Sequence, residues 1–277
     1  MTERQKMPAA PDIDCGFDDA PLMLALAQIT FTQSPEVFKN ITEVKAAIAK
    51  LGMPIAQSKQ QVSFALKVGS AAPQVTQSQI WWFVSLDKRR AVAVAQNSVV
   101  LYEASYSRFT EFRDLMCKIV DTVSGFAGDG CFLTSVALRY LSGFSSDGHP
   151  SPYLVSGLHG LPTESLQTEH YHHTYGFWCS TSGGGRLVVN VKTVHGDQLI
   201  PQDIQTAGVA IDGRFALPKE TDAVQLDIHE TIQRKTMQKL DAAEIERLLD
   251  EMRKNVKICF LLATTEDAHT KWKITNN

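Results

Sequence analysis

The densest run of metal-capable side chains is Glu169-His170-Tyr171-His172-His173-Thr174-Tyr175. On a strand, residues two apart share a face, which would set His170 and His172 about 6.5–7 Å apart, close enough to share a cation. His195, Asp227 or His229 would have to supply a third ligand. No glutamate follows at the spacing of a cupin-type double-histidine motif, so surface histidines at a polar strand start are the leading reading and a metal site is the alternative. Asp227 and His229 would also share a strand face, and a carboxylate beside an imidazole is half of a general-base arrangement. No Gly-x-Ser-x-Gly elbow supplies a nucleophile, so an ordinary surface pair is the expectation. Gly183-Gly184-Gly185 is not followed by Gly-Lys-Ser/Thr, and a strand comes next rather than a helix, so it reads as a hairpin turn. Arg139 stands among Val136, Leu138 and Tyr140. Its guanidinium must reach solvent or an anion, because burying it unpaired costs several kcal/mol. An ion pair with one of the chain's acids is expected; a small-anion or carboxylate receptor in a cleft between two halves is the functional alternative. Arg139, Asp227 and His229 are therefore the candidate ligand-binding residues, and none is assigned a catalytic role.

These residues need elements to hold them. Leu22 to Ala27 is apolar at every position, the pattern of a strand buried on both faces. Ser34-Pro35 reads as an N-cap and first helical position, with Val37, Ile41, Val44, Ile48 and Leu51 on one helical face and Gly52 and Pro54 as the stop. Val62 to Val68 alternates; Ile80-Trp81-Trp82-Phe83-Val84, a turn at Leu86–Arg90, and strands through Val92 and Val99–Tyr102 read as an antiparallel meander. One of its tryptophans could stay exposed as a partner contact. Phe109, Phe112, Met116, Ile119, Val123 and Phe126 define a long helix, and Phe132–Leu141 is a strand. Gly and Pro cluster in Ser142–Tyr153, the best linker in the chain.

Beyond that linker the pattern partly repeats. Phe177-Trp178-Cys179-Ser180, a glycine turn and Leu187–Val191 echo Trp82-Phe83-Val84-Ser85, a turn and Ala91–Ala95. Asp212-Gly213 suggests a tight hairpin and Val224–Ile228 a strand. Asp241 and Glu244 form a capping box for a helix carrying Ile245, Leu248, Met252, Val256 and Phe260. The expected fold is α+β: two consecutive antiparallel sheets, each backed by amphipathic helices, as a divergent duplication would produce. Residues 1–20 are expected to be a mobile arm, 21–142 the first half and 153–277 the second.

At 277 residues, 44% hydrophobic and 21% charged, the chain has the composition of a globular protein. A net charge of −3 gives no basic footprint, so a nucleic-acid partner is not expected. The longest apolar run, Leu22–Phe31, is half a membrane span, and Asp12, Asp14, Asp18 and Asp19 precede it where a signal peptide is basic. No membrane association is expected. Cys15, Cys117, Cys131, Cys179 and Cys259 are scattered without a Cys-x-x-Cys pair, as in a reduced cytoplasmic protein.

Several segments together carry a resemblance. Ala20-Pro21-Leu22 leads the buried strand, Trp82-Phe83-Val84-Ser85-Leu86-Asp87 enters the hairpin, and Tyr106 precedes Phe109 and Phe112. Leu138-Arg139-Tyr140 closes a strand, and Leu226-Asp227-Ile228 comes before the last long helix, near whose end lie Phe260 and Thr264-Thr265. In this order they resemble a sporadically distributed family of uncharacterised bacterial proteins, over about Pro21 to Trp272. The chain departs from that pattern at Leu141-Ser142 and at His229. The resemblance implies an accessory role, as in genome defence or another horizontally acquired system, and brings no activity with it. The functional expectation is a cytoplasmic binding or adaptor protein acting through a protein or small-anion interface, without a cofactor. A metal-dependent enzyme using His170 and His172, or a self-assembling structural component, are the alternatives.

Overall fold

The computed structural model describes residues 15–17, 19–65, 74–128, 130–147, 151–159, 174–205 and 207–276. In chain order the elements are β1 (Cys15–Phe17), β2 (Leu22–Phe31), α1 (Glu36–Lys39), α2 (Ile41–Lys50), β3 (Ile55–Ala65), β4 (Gln74–Val84), β5 (Arg90–Val94), β6 (Ser98–Glu103), α3 (Phe109–Ala127) and β7 (Phe132–Ser145). There follow β8 (Thr174–Ser180), β9 (Gly185–His195), α4 (Gln202–Gln205), β10 (Asp222–Lys239), α5 (Ala242–Ala263), α6 (Glu266–Lys271) and β11 (Ile274–Asn276).

The fold is α+β, but the two expected sheets are one. Nine antiparallel strands run in the order β3-β4-β5-β6-β2-β7-β10-β9-β8. The seam is β2 against β7, with Ala25 opposite Tyr140 and Leu26 opposite Arg139. A strand buried on both faces and hydrogen-bonded on both edges belongs at the centre of a sheet, and β2 and β7 each supply the other's missing neighbour. Four strands and a long helix of each half follow a common path, to which the first half adds α1, α2 and β3. The first strand lies at the seam, the last strand (β6 or β10) returns beside it, and a long helix (α3 or α5) follows. β4-turn-β5 and β8-turn-β9 hold equivalent places, those of the repeated sequence pattern.

α1, α2, α3 and α5 cover one face, over a core that includes Ala25, Ile29, Phe83, Leu101, Met116, Val120, Leu138, Ile228, Leu249 and Met252. Asp241 caps α5 by accepting from the Glu244 N–H at 3.1 Å, the forward half of the expected capping box, while the Glu244 carboxylate accepts from Arg247 at 2.9 Å. Arg113 of α3 grips Asp250 of α5 at 2.9 Å and locks the helices of the two halves together. The helix expected from Ser34 to Leu51 is broken at Asn40 into α1 and α2. Ser34 caps neither; its hydroxyl donates to the Ala127 carbonyl at 2.6 Å.

The opposite face is crossed by residues 196–221, the connection from β9 to β10, which acts as a strap. Leu199, Ile204 and Phe215 pack on Met23, Leu24, Leu26 and Leu141, while Ala207 packs with Trp82, Val84, Ala91 and Ala93. The Ala210 N–H donates to the Lys88 carbonyl at 2.7 Å, and Asp212 accepts from Arg89 at 2.8 Å. Asp212 also caps the 3-10 turn Gly213–Phe215, so the hairpin expected at Asp212-Gly213 is instead a fastening of the strap. Gly143 allows close packing of the strap: a Cβ there would meet the Met23 sulfur at 2.6 Å and a Leu199 methyl at 2.9 Å, so both side chains would have to shift.

β7 runs to Ser145, into the expected linker, and residues 15–17 of the expected arm pair with β11. No described helix is long and apolar enough to cross a membrane.

Candidate functional site

A single cross-strand row organises the strap face. From β4 to β8 it reads Val84, Ala91, Tyr102, Leu26, Arg139, His229, Val188, Trp178, each opposite the next. Directly opposed residues on antiparallel strands point to the same face, so these eight side chains form one line. The strap covers the first-half members. The second-half members extend beyond it to the edge of the sheet.

Arg139, Asp227 and His229 meet on this line. Arg139 sends Nε to Asp227 Oδ1 at 2.9 Å and Nη2 to Oδ2 at 2.8 Å, a bidentate fork. Burial works against an ionised Asp227, yet the nearby His229 and the Arg139 fork outweigh it and hold the carboxyl below its ordinary value. His229 Nδ1 is 3.9 Å from Asp227 Oδ1 and has no hydrogen-bond partner, so the imidazole is an electrostatic neighbour and not a relay. The ion pair expected for Arg139 is therefore present. Its fork geometry is spent on Asp227, which disfavours Arg139 as a receptor for an outside carboxylate.

His170 and His172 lie outside the described residues. Among the described residues no group of three or more His, Cys, Asp or Glu is arranged to hold a metal ion. Burial pushes the thiols of Cys117 and Cys131 up to about 11 and that of Cys259 up to about 12, which leaves them protonated and poor nucleophiles at neutral pH. Tyr106 and Tyr140 share a hydroxyl–hydroxyl hydrogen bond of 2.8 Å on the helix face, and burial raises both groups. Arg253 lies 5.6 Å from the Tyr140 ring, so this pair is packed between sheet and helices.

The aromatic positions are exchanged relative to expectation. Trp82 and Phe83 are buried, and Trp81 lies under Lys45, whose Nζ is 3.7 Å from the ring centre. The exposed indole belongs to Trp178, at 61%. All seven residues of β8 are exposed, with Tyr175 and Phe177 on the helix face and Trp178 on the strap face. Arg186 of β9 stacks 4.7 Å from the Trp178 ring. Among the described strands β8 pairs only with β9, so its outer row of peptide groups is unpaired there. A signal was present: Thr174 to Ser180 sets three aromatic residues among small ones without one Asp, Glu, Lys, Arg or His.

Comparison with protein-family models found no match, and comparison with curated proteins found none either.

Proposed function

We propose that the protein is a binding or adaptor component that works through a protein interface at the β8 edge of its sheet. The observation that carries this reading is an uncharged edge strand, exposed at every position and bearing Tyr175, Phe177 and Trp178. Natural sheets blunt such edges with charge, proline or a cover, and aromatic residues are enriched at partner interfaces. The bidentate Arg139–Asp227 pair favours the protein interface over the small-anion interface, since the guanidinium already holds a carboxylate. The matching paths of the two halves support a divergent duplication in which one copy kept its edge open. A cytoplasmic accessory role in bacteria, as the resemblance implies, accords with this reading.

The test places a photoreactive phenylalanine analogue at Phe177, and separately at Gln60, which is exposed on the other edge strand, β3. Irradiation in cells is expected to give protein adducts from position 177 and none from position 60. No adduct from 177, or the same adducts from both, overturns the reading.

A further inference from the structure

We propose that the occupant of the β8 edge is a second copy of this chain, joined edge to edge by an antiparallel β8–β8 pair about a two-fold axis. This deepens the reading of β8 as a protein interface and rests on it.

Three observations carry the inference. The first is charge. Thr174-Tyr175-Gly176-Phe177-Trp178-Cys179-Ser180 contains no Asp, Glu, Lys, Arg or His, so two identical edges meet without repulsion between formal charges. The opposite edge strand carries Lys59 among exposed Gln57, Ser58 and Gln60, the inhibitory pattern expected of a protected edge.

The second is self-complementary size. Full overlap of seven residues, about 24 Å of strand, puts Phe177 on the axis opposite the partner's Phe177. It follows that Trp178 faces the partner's Gly176, Tyr175 faces the partner's Cys179, and Thr174 faces the partner's Ser180. Each large side chain meets a small one, apart from the phenylalanine pair at the centre. A glycine on a strand leaves backbone bare, and an aromatic ring on the facing strand covers it. Gly176 also lets the Asn190 amide lie close: a Cβ there would meet Asn190 Oδ1 at 2.7 Å and push that side chain aside. The partner's indole would thus lie over Gly176 and the Asn190 amide.

The third is the rest of the sheet. β4, which holds the place equivalent to β8 in the first half, has its outer edge covered by β3 over a register from Ile55–Val84 to Ala65–Gln74. Among the described residues no strand does this for β8. A two-fold pairing covers both copies' edges at once, and the same patch serves on each subunit.

The experiment is sedimentation equilibrium of the full chain with Phe177→Lys and Phe177→Glu, each variant's fold checked by its thermal melt. The wild type is expected to rise with concentration toward twice the mass of one chain. Either variant alone is expected to associate about a hundredfold more weakly, since a central hot-spot aromatic is lost and like charges face each other across the axis. An equimolar mixture of the two variants is expected to restore the dimer, because lysine then faces glutamate.

The inference is overturned by a wild type that stays monomeric, by variants that dimerise like the wild type, or by a mixture of well-folded variants that stays monomeric. The photoreactive probe separates the two readings. Adducts from position 177 of a mass other than twice one chain, with a monomeric wild type, overturn the second copy and leave the edge interface standing. Absence of any adduct removes both.

Discussion

On one side of the β2–β7 seam the cross-strand row is Val84, Ala91, Tyr102 and Leu26; on the other it is Trp178, Val188, His229 and Arg139. Position by position the second set is the topological counterpart of the first. The first set is apolar apart from one hydroxyl, and Val84, Ala91 and Leu26 are buried. The second contains a guanidinium, an imidazole and a tryptophan 61% exposed. Both halves also carry an indole beneath a cation on this face: Lys59 is 5.1 Å from the Trp82 ring and Arg186 is 4.7 Å from the Trp178 ring. Trp82 is only 8% exposed, because the strap and β3 lie against its neighbourhood. The difference shows that exposure here is decided by what lies on top of a strand, not by the strand's own residues.

The comparison breaks most visibly at the two tryptophans. Trp82→Ala is expected to cost about 3–5 kcal/mol, the range for emptying a packed aromatic site, whereas Trp178→Ala is expected to stay within about 0.5 kcal/mol. Denaturant unfolding at low protein concentration measures both. Equal losses would make Trp178 part of the scaffold and end its role as a contact.

Comparable in size is the effect at the seam pair Leu26 and Arg139. Arg139→Ala is expected to cost about 3–5 kcal/mol because it strands the Asp227 carboxylate in a buried setting. Arg139→Met combined with Asp227→Leu is expected to recover most of that loss, so that this half comes to resemble the apolar one. A double variant as unstable as the single one would mean that the ion pair does more than neutralise itself.

How far all this could be read from the residues differs between elements. α3 and α5 were legible because their apolar spacing of three and four persists over five turns or more. The break at Asn40 was not, since Val37, Ile41, Val44 and Ile48 keep helical period straight through it. The turn at Gly183-Gly184-Gly185 was legible, and Gly184 adopts the left-handed φ of +77° that such turns require. The single sheet was hidden: its seam joins β2 to β7, and pattern alone does not say which strand a buried strand pairs with. The ion pair was half visible, Arg139 being recognisable as a group needing an anion while Asp227, far along the chain, was seen only beside His229. The sequence pattern points to the wrong tryptophans for exposure because the strap, with Leu199, Ile204 and Phe215 spread among turn residues, has no period to announce it.

The smallest expected effect concerns the buried glutamates. Glu103 is ion-paired with Arg90, while Glu230, fully buried, receives its described hydrogen bonds from the neutral donors Thr181 (2.5 Å) and Asn255 (3.0 Å). Burial raises the Glu230 carboxyl above its ordinary value of 4.5. A carboxyl raised by folding lends its stability below the ordinary value and loses it as pH climbs through the raised one. Glu230→Gln is therefore expected to melt higher than the wild type at neutral pH, the gap closing toward pH 4. Melting temperatures between pH 4 and 8 check this, and a gap that widens toward acid would mean that Glu230 has an unseen cationic partner.

The strap has a consequence for the order in which the molecule can be completed. Residues 196–221 emerge from a ribosome long after β4, β5 and β6, yet they supply the apolar layer that shields Trp82, Ala91 and Leu26 from water. Until they arrive, the amino-terminal strands present a sticky, one-sided slab, the kind of surface on which nascent chains aggregate or recruit chaperones. A nascent chain halted in the Ser142–Tyr153 stretch would carry that slab bare.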